Sequence, residues 1–243
     1  FTPWHVACPI GALVADTLVH APLAHWATAR AHVVAMDDGQ TQLTFAQLHA
    51  AVQQQAEALT HAHAPDTVFV DEQLSIIQQM VSFMGIIQSG RCAAVSDPDW
   101  PSAVRTSVQS VFSNQPATTP PPTPTTPFYI GFTSGSTGMP KGFRRHHQSW
   151  TESLRVCLDT FGPDAASCVM APGRFSHSLF LFGMVLGLWS GAGVVVQERF
   201  SAPRMMETLR SGRTPCLVAV PSQLLLMLEL AARRALAPID GVR

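Results

Sequence analysis

The feature that most constrains the fold of this sequence is a regular alternation of short apolar runs with longer segments of helical periodicity. The runs are continuously apolar, as in Val194, Val195 and Val196, which is typical of strands covered on both faces. They predict strands near 67–70, 92–95, 128–132, 168–171, 193–197 and 215–220. Helices are predicted near 44–59, 75–88, 101–112, 148–160, 176–189, 203–211 and 222–234. Strands that alternate with helices of this length are joined by parallel crossovers, so we expect an α/β fold whose parallel-sheet layers are covered by helices.

Two local patterns refine this prediction. Thr44 and Gln47 form the sequence signature of a capping box, and apolar residues then recur at helical steps on one face. The pair Met205 and Met206 and the leucine-rich run at 224–228 are both interpreted as helix faces that point into the core.

Composition excludes several classes of protein. Hydrophobic residues make up 47% of the chain, which is too many for a disordered protein. A net charge of -1 provides no basic surface for nucleic acid. Charged residues are only 13%, about half the ~25% of an average domain. Either the layers are deeply buried, or some surface is covered by something outside this chain.

The cysteines and the N-terminal segment bear on location. Five cysteines are scattered without C-x-x-C spacing, which argues against a disulfide framework and a cysteine zinc site and favours a reducing, cytoplasmic compartment. No secretory signal pattern is visible. Residues 179–196 carry no charge and reach the length of a membrane span, but Gly187, Gly191 and Gly193 interrupt them. We therefore expect a buried helix, a turn and a core strand there, with no transmembrane span.

A Pro- and Thr-rich segment at 115–127 interrupts the alternation. Its composition predicts an extended connection, either a surface loop or a domain boundary. It divides the chain into a first α/β portion at 1–114 and a second portion at 128–243.

The segment with the clearest chemistry follows the predicted strand at 128–132. Its sequence, TSGSTGMPKG at 133–142, combines three glycines, four hydroxyl side chains and one lysine, Lys141. Glycines let backbone amides approach a ligand, and hydroxyls and an ammonium group suit phosphate oxygens. The alternative is a Gly/Ser-rich surface turn with an incidental lysine. The segment is not a Walker loop, because Pro140 and Gly142 flank the lysine. It also lacks a G-x-G-x-x-G turn, and Thr133 stands where a hydrolase would need its nucleophilic serine.

The motif closely resembles the phosphate loop of the adenylate-forming superfamily, which includes AMP-forming acyl-CoA synthetases and adenylation domains of peptide synthetases. Other segments agree in order: the TFAQL at 44–48, the Asp-Pro turn at 97–98, His147, the SHS at 176–178 and the Val-Pro step at 220–221. The resemblance runs from about residue 20 to the end and implies the front part of the family's large N-terminal domain.

The resemblance implies that ATP activates a carboxylic acid to acyl-AMP with release of pyrophosphate, and that CoA then takes the acyl group. Thr133 and Lys141 would be catalytic, and His177 and Phe175 would line the pocket of the acid. Because the residues from 175 to 182 are largely apolar, the acid is expected to be a fatty or other hydrophobic acid. Mg²⁺ is implied as well, although its usual Glu ligand lies beyond this chain. The implied nucleotide-binding residues are Thr133, Ser134, Gly135, Ser136, Thr137, Gly138, Lys141 and Gly142.

Several alternatives remain open at this point. His177 could instead be a core histidine. His146 and His147 could suggest a metal site, but adjacent side chains on a helix do not converge, so we expect no metal there. Arg144 and Arg145 are expected to form a solvated face, with a role near phosphate as the alternative. The family pattern continues past this chain, so the chain alone is expected to be inactive and to need the missing C-terminal half. The rival functions are an adenylation domain loading a carrier-protein thiol, and a non-catalytic nucleotide-binding or assembly module.

Overall fold

The computed structural model describes residues 18–133, 139–162, 167–239 and 242. Its strands are β1 (Val34–Asp37), β2 (Gln42–Thr44), β3 (Thr67–Phe69), β4 (Cys92–Ala94), β5 (Pro127–Thr133), β6 (Lys141–His146), β7 (Val169–Ala171), β8 (Val194–Val196) and β9 (Cys216–Leu217). Its helices are α1 (Pro22–Ala29), α2 (Phe45–His61), α3 (Ile76–Gln88), α4 (Ser102–Gln109), α5 (His147–Phe161), α6 (Ser178–Trp189), α7 (Ala202–Arg210) and α8 (Pro221–Arg233).

The strands form two sheets. One has the order β2-β1-β8-β7-β9 and is parallel except for β2, and the other has the order β3-β4-β5-β6 and is parallel except for β6. The predicted α/β fold, with parallel strands flanked by helices, is confirmed. β9 is shorter than the strand predicted at 215–220, because Val220 is already the N-cap residue of α8.

Covering on both faces is clearest at β8. Val194 and Val196 pack into the largest hydrophobic cluster, whereas Val195 on the opposite face packs into a second cluster with Met205 and Met206. Each face of this strand is therefore dry, which explains its continuous apolar sequence. The prediction for the leucine-rich run is wrong: Leu224, Leu225, Leu226 and Leu228 of α8 are 44–68% exposed. The helix turns Gln223 and Met227 inward instead.

The uncharged segment at 179–196 folds as predicted into a buried helix, a turn and a strand. α6 is apolar around its circumference, as a helix enclosed by protein must be. Gly191 has φ +74°, and a Cβ there would collide with the indole of Trp26, so the turn into β8 requires glycine. Within the described part of the chain, no helix is both long and apolar enough to cross a membrane.

The Pro- and Thr-rich connection lies on the surface in an extended form, held at a few points. Thr119 donates its hydroxyl to the carbonyl of Ser89 at 2.7 Å, and Arg91 donates to the carbonyl of Ala117 at 3.1 Å. Strands from before and after the connection pair within both sheets. The division of the chain into two portions therefore stays a prediction about sequence, and both portions contribute to each sheet.

The hairpin of β5 and β6 forms one side of the second sheet. Its register places Thr133 opposite Lys141, Gly131 opposite Phe143 and Tyr129 opposite Arg145. The sequence predicted no strand at 141–146, and the interpretation of Arg144, Arg145 and His146 as helical was wrong: residues 141–146 pair with β5, and the helix predicted from 148 begins at His147. His146 caps that helix by accepting a hydrogen bond from the Ser149 amide at 3.2 Å.

His147 is buried beneath this hairpin next to a second histidine. Its Nδ1 accepts a hydrogen bond from the Val19 amide at 3.1 Å, and its ring stacks on Phe128 with centroids 4.8 Å apart. The ring of His20 lies 5.6 Å away. Burial lowers the pKa of His20 to about 4, and burial together with the neighbouring His20 and His146 lowers the pKa of His147 to about 3. Both rings are therefore held neutral in the folded protein.

This pair predicts a loss of stability in mild acid. Because both folded-state pKa values lie below the unfolded value of 6.5, the unfolded chain binds more protons as pH falls from 6.5 towards 4 and 3. The substitution His147→Gln should flatten the slope of unfolding free energy against pH in this window by up to about 1.4 kcal/mol per pH unit. Urea unfolding at several pH values measures that slope, with the exposed His61→Gln as the control. An unchanged slope in His147→Gln would contradict this account.

The hairpin also predicts a contrast between two glycines. A Cβ on Gly131 would overlap the Phe143 ring and the Tyr129 hydroxyl, whereas one on Gly142 would meet the Phe132 ring at 3.3 Å. Gly131→Ala should therefore lower the unfolding free energy by about 1–3 kcal/mol, and Gly142→Ala by less than about 1 kcal/mol. Denaturant midpoints of the two variants test this. Equal midpoints would mean that the packing over Gly131 is looser than described.

Candidate functional site

Thr133 and Lys141 face each other across the open end of the β5–β6 hairpin. They are a paired position in the register, and the Thr133 hydroxyl donates to the Lys141 carbonyl at 3.4 Å. Both side chains are exposed, as is Gly142. The predicted residues Ser134, Gly135, Ser136, Thr137 and Gly138 lie outside the described residues. The hairpin thus fixes the two ends of the glycine-rich segment side by side.

Lys141 is the only lysine in the 243 residues, so 14 of the 15 basic residues are arginines. Among the described residues, no carboxylate forms an ion pair with it. A lysine ammonium is a compact point charge that binds phosphate oxygens, whereas arginine favours planar, bidentate partners. The position of Lys141 beside the Thr133 hydroxyl therefore suits an anion with phosphate-like oxygens.

A polar cavity of 220 Å³ lies where the carboxyl ends of β3, β4, β7 and β8 meet. Ligands of open parallel sheets bind at such carboxyl ends. Arg174, after β7, forms ion pairs with Asp97 at 3.5 Å and with Asp99, both after β4, and these contacts join the two sheets. The hydroxyl of Ser176 is buried here and has no hydrogen-bond partner within the described chain.

The two residues predicted to line the acid pocket lie at the loop between β7 and α6. Phe175 is 2% exposed, packs on Phe83 with ring centroids 5.8 Å apart, and lines the polar cavity. His177 is exposed at the start of α6, with its ring 5.8 Å from that of Phe180. The structure therefore places one residue in the core and the other at the surface, two positions apart.

An open cleft of 570 Å³ lies between β6 and the helices α5 and α6. Its lining includes residues that sequence reasoning missed, namely Phe143 on β6 and Trp150 on α5. Trp150 packs edge-to-face on Phe182 of α6 at 5.4 Å. The only hint in the sequence was the apolar Phe143 between two basic positions, which becomes meaningful once 141–146 is a strand. The whole lining is Phe143, Arg144, Arg145, Trp150, Ser153, Ser178, Leu179 and Phe182.

The strand β6 carries positive charge along this cleft. Arg144 is paired with Ile130 and so shares the face of β5 on which Ile130 packs with Cys92, and its positive charge opposes part of the rise by which burial takes the pKa of Cys92 to about 12. Arg145 shares the other face of the strand with Lys141 and Phe143. Both arginines are exposed, as the solvated-face prediction required.

Comparison with known proteins agrees with this architecture. A family model described as AMP-binding enzyme matches residues 101–241, more than half of the chain. The uncharacterized acyl–CoA ligase YhfT of Bacillus subtilis (strain 168) is 40% identical over 111 residues, which are 45% of this chain and 23% of YhfT. The pyochelin synthetase PchE of Pseudomonas aeruginosa (strain UCBPP-PA14) is 29% identical over 153 residues, which are 60% of this chain and 11% of PchE.

The solved structure of o-succinylbenzoate CoA synthetase (MenE) from Bacillus subtilis shares the fold. Its TM-score is 0.75 at 16% identity, over 91% of this chain and 52% of the MenE chain. The chain thus spans about half of that structure and about a quarter of YhfT. With a match over residues 101–241 and this shared fold, the chain belongs to the AMP-binding enzyme family, as its resemblance to adenylate-forming proteins predicted.

Proposed function

We propose that the protein to which this chain belongs joins a carboxylic acid to CoA in two steps driven by ATP. The carboxylate attacks the α-phosphorus of ATP, which forms acyl-AMP and releases pyrophosphate. The thiol of CoA then attacks the acyl carbon and releases AMP. The observation that carries the proposal is the pairing of Thr133 with Lys141 at the two ends of the TSGSTGMPKG segment.

Lys141 and Thr133 supply what transfer at phosphorus requires from a protein. The reaction needs little covalent help, so catalysis rests on positioning and on stabilising negative charge. The ammonium of Lys141 neutralises charge on the β- and γ-phosphates, and the hydroxyl of Thr133 donates to an oxygen beside it. Ser134, Ser136 and Thr137 add hydroxyls between them, with Gly135, Gly138 and Gly142 allowing close backbone approach.

The acid is proposed to lie in the cleft between β6 and α6. The walls formed by Phe143, Trp150, Leu179 and Phe182 favour an apolar body, consistent with a fatty or other hydrophobic acid. His177 precedes Ser178 of this lining, whereas Phe175 lines the separate polar cavity, so the proposed pocket roles of both residues rest on the family resemblance alone.

Mg²⁺ would arrive with ATP and offset its charge. Thr133 and Lys141 present hydrogen-bond donors, which suit phosphate oxygens and offer a cation no carboxylate ligand. The described residues of this site therefore fit the nucleotide and leave the metal to ligands elsewhere in the protein.

A carrier-protein thiol is the second candidate acceptor. The 29% identity to PchE over 60% of this chain favours it, because PchE is named a synthetase of pyochelin. The 40% identity to YhfT, named an acyl–CoA ligase, favours CoA. Supplying each thiol to the full-length protein after acyl-AMP has formed would decide between them.

Carboxylate-dependent exchange of pyrophosphate into ATP by the full-length protein tests the proposal. Exchange should appear with at least one acid of a broad panel, and Lys141→Ala should lower its rate on the order of 10²–10³-fold, as for the loss of one donor to a developing charge. Lys141→Arg should recover only part, because its planar head does not replace a point charge. Arg234→Gln, which removes an exposed charge at the end of α8, is the control. Absence of exchange with every acid would reject acid activation.

A further inference from the structure

The strand β6 holds an unusual concentration of positive charge. Within six residues it carries Lys141, Arg144 and Arg145 and no acidic residue. Proposing ATP phosphates at Lys141 accounts for one of these charges. Arg144 and Arg145 lie three and four residues further along an extended strand, on the order of 10–13 Å away, and serve no purpose in that step.

Most arginines in the described chain are engaged within the protein. Arg174 pairs with Asp99, Arg213 pairs with Asp37 at 2.5 Å, and Arg91 donates to backbone carbonyls. Within the same described residues, no carboxylate forms an ion pair with Arg144 or Arg145. The Arg145 guanidinium is therefore available to a ligand on the Phe143 face of β6, whereas the Arg144 side chain points to the opposite face.

The cleft gives that ligand a shape. Arg145 lies at one wall, on the same face of β6 as Phe143, and Phe143, Trp150 and Phe182 supply apolar surface beside it. The hydroxyls of Ser153 and Ser178 are the other polar side chains of the lining. Apolar walls next to the guanidinium group of Arg145 match a molecule with an apolar body and an anionic end.

Resting on the proposed function, we propose that the acid activated by this protein carries a second anionic group at the end remote from the reacting carboxylate, and that Arg145 binds it. The reacting carboxylate lies towards Lys141 and the phosphates, and the distal anion lies further along β6. Two cationic positions on one strand thereby fix the orientation of the acid and favour a dianionic substrate over a singly charged one.

The test is pyrophosphate exchange by the full-length protein with matched acids of equal chain length that end in a methyl, a carboxylate or a phosphonate group. The dianionic acids should have the higher kcat/KM, by on the order of tenfold or more, the usual effect of a hydrogen bond to a charged group. Arg145→Gln should abolish this preference by raising KM for the dianionic acids with kcat unchanged, and should leave the methyl-ended acids as they were. Arg145→Lys should keep part of the preference, and Arg234→Gln all of it.

The outcomes separate this inference from the proposed function. Exchange with methyl-ended acids as efficient as with dianionic ones, or an equal effect of Arg145→Gln on both, overturns the inference and leaves acid activation standing. Exchange with no acid by a folded protein overturns both. A preference for the carboxylate or for the phosphonate end supports the inference and identifies which anion Arg145 binds.

Discussion

The pairing of β5 with β6 is the interaction on which the account depends. It is antiparallel within an otherwise parallel sheet, so it returns the chain to the point where the glycine-rich segment began and holds Thr133 opposite Lys141. The same strand then carries Phe143 and Arg145 along the wall of the cleft. The proposed contacts with phosphate, with the acid and with a second anion therefore all lie on one short strand, and a change in its register by one residue would turn each of these side chains to the opposite face.

The two sheets explain why charge is scarce in this chain. β8 is covered on both faces and α6 is enclosed, so a large share of the sequence can only be apolar. Burial of the strands and helices in layers therefore accounts for part of the low content of charged residues, 13%. Exposed apolar residues account for the rest. Several of them are leucines of α8, on the side of the helix away from the buried Met227. The few charges that remain are used at particular places, such as the Arg174 ion pairs that join the loops after β4 and β7.

The sequence predicted the parts of the fold that local pattern determines. Apolar runs and capping signals located β3, β4, β5, β7 and β8 and most helices, because burial and hydrogen bonding of the caps act within a few residues. β6 was missed because its sequence, KGFRRH, is exposed and basic, and only its pairing with β5 makes it a strand. The same long-range pairing brings Trp150 and Phe143 to the cleft. His177 and Phe175 were singled out by the family resemblance. The resemblance did not predict that Phe175 is buried and His177 exposed, because this depends on where α6 begins.

The most direct test of the central claim is to follow oxygen from the acid. An acid labelled with ¹⁸O in its reacting carboxylate is supplied to the full-length protein with ATP and CoA, and the AMP product is analysed by mass spectrometry. If the carboxylate attacks the α-phosphorus and the thiol then attacks the acyl carbon, each AMP released must carry one labelled oxygen. Label found in inorganic phosphate or pyrophosphate, with none in AMP, would contradict activation through acyl-AMP.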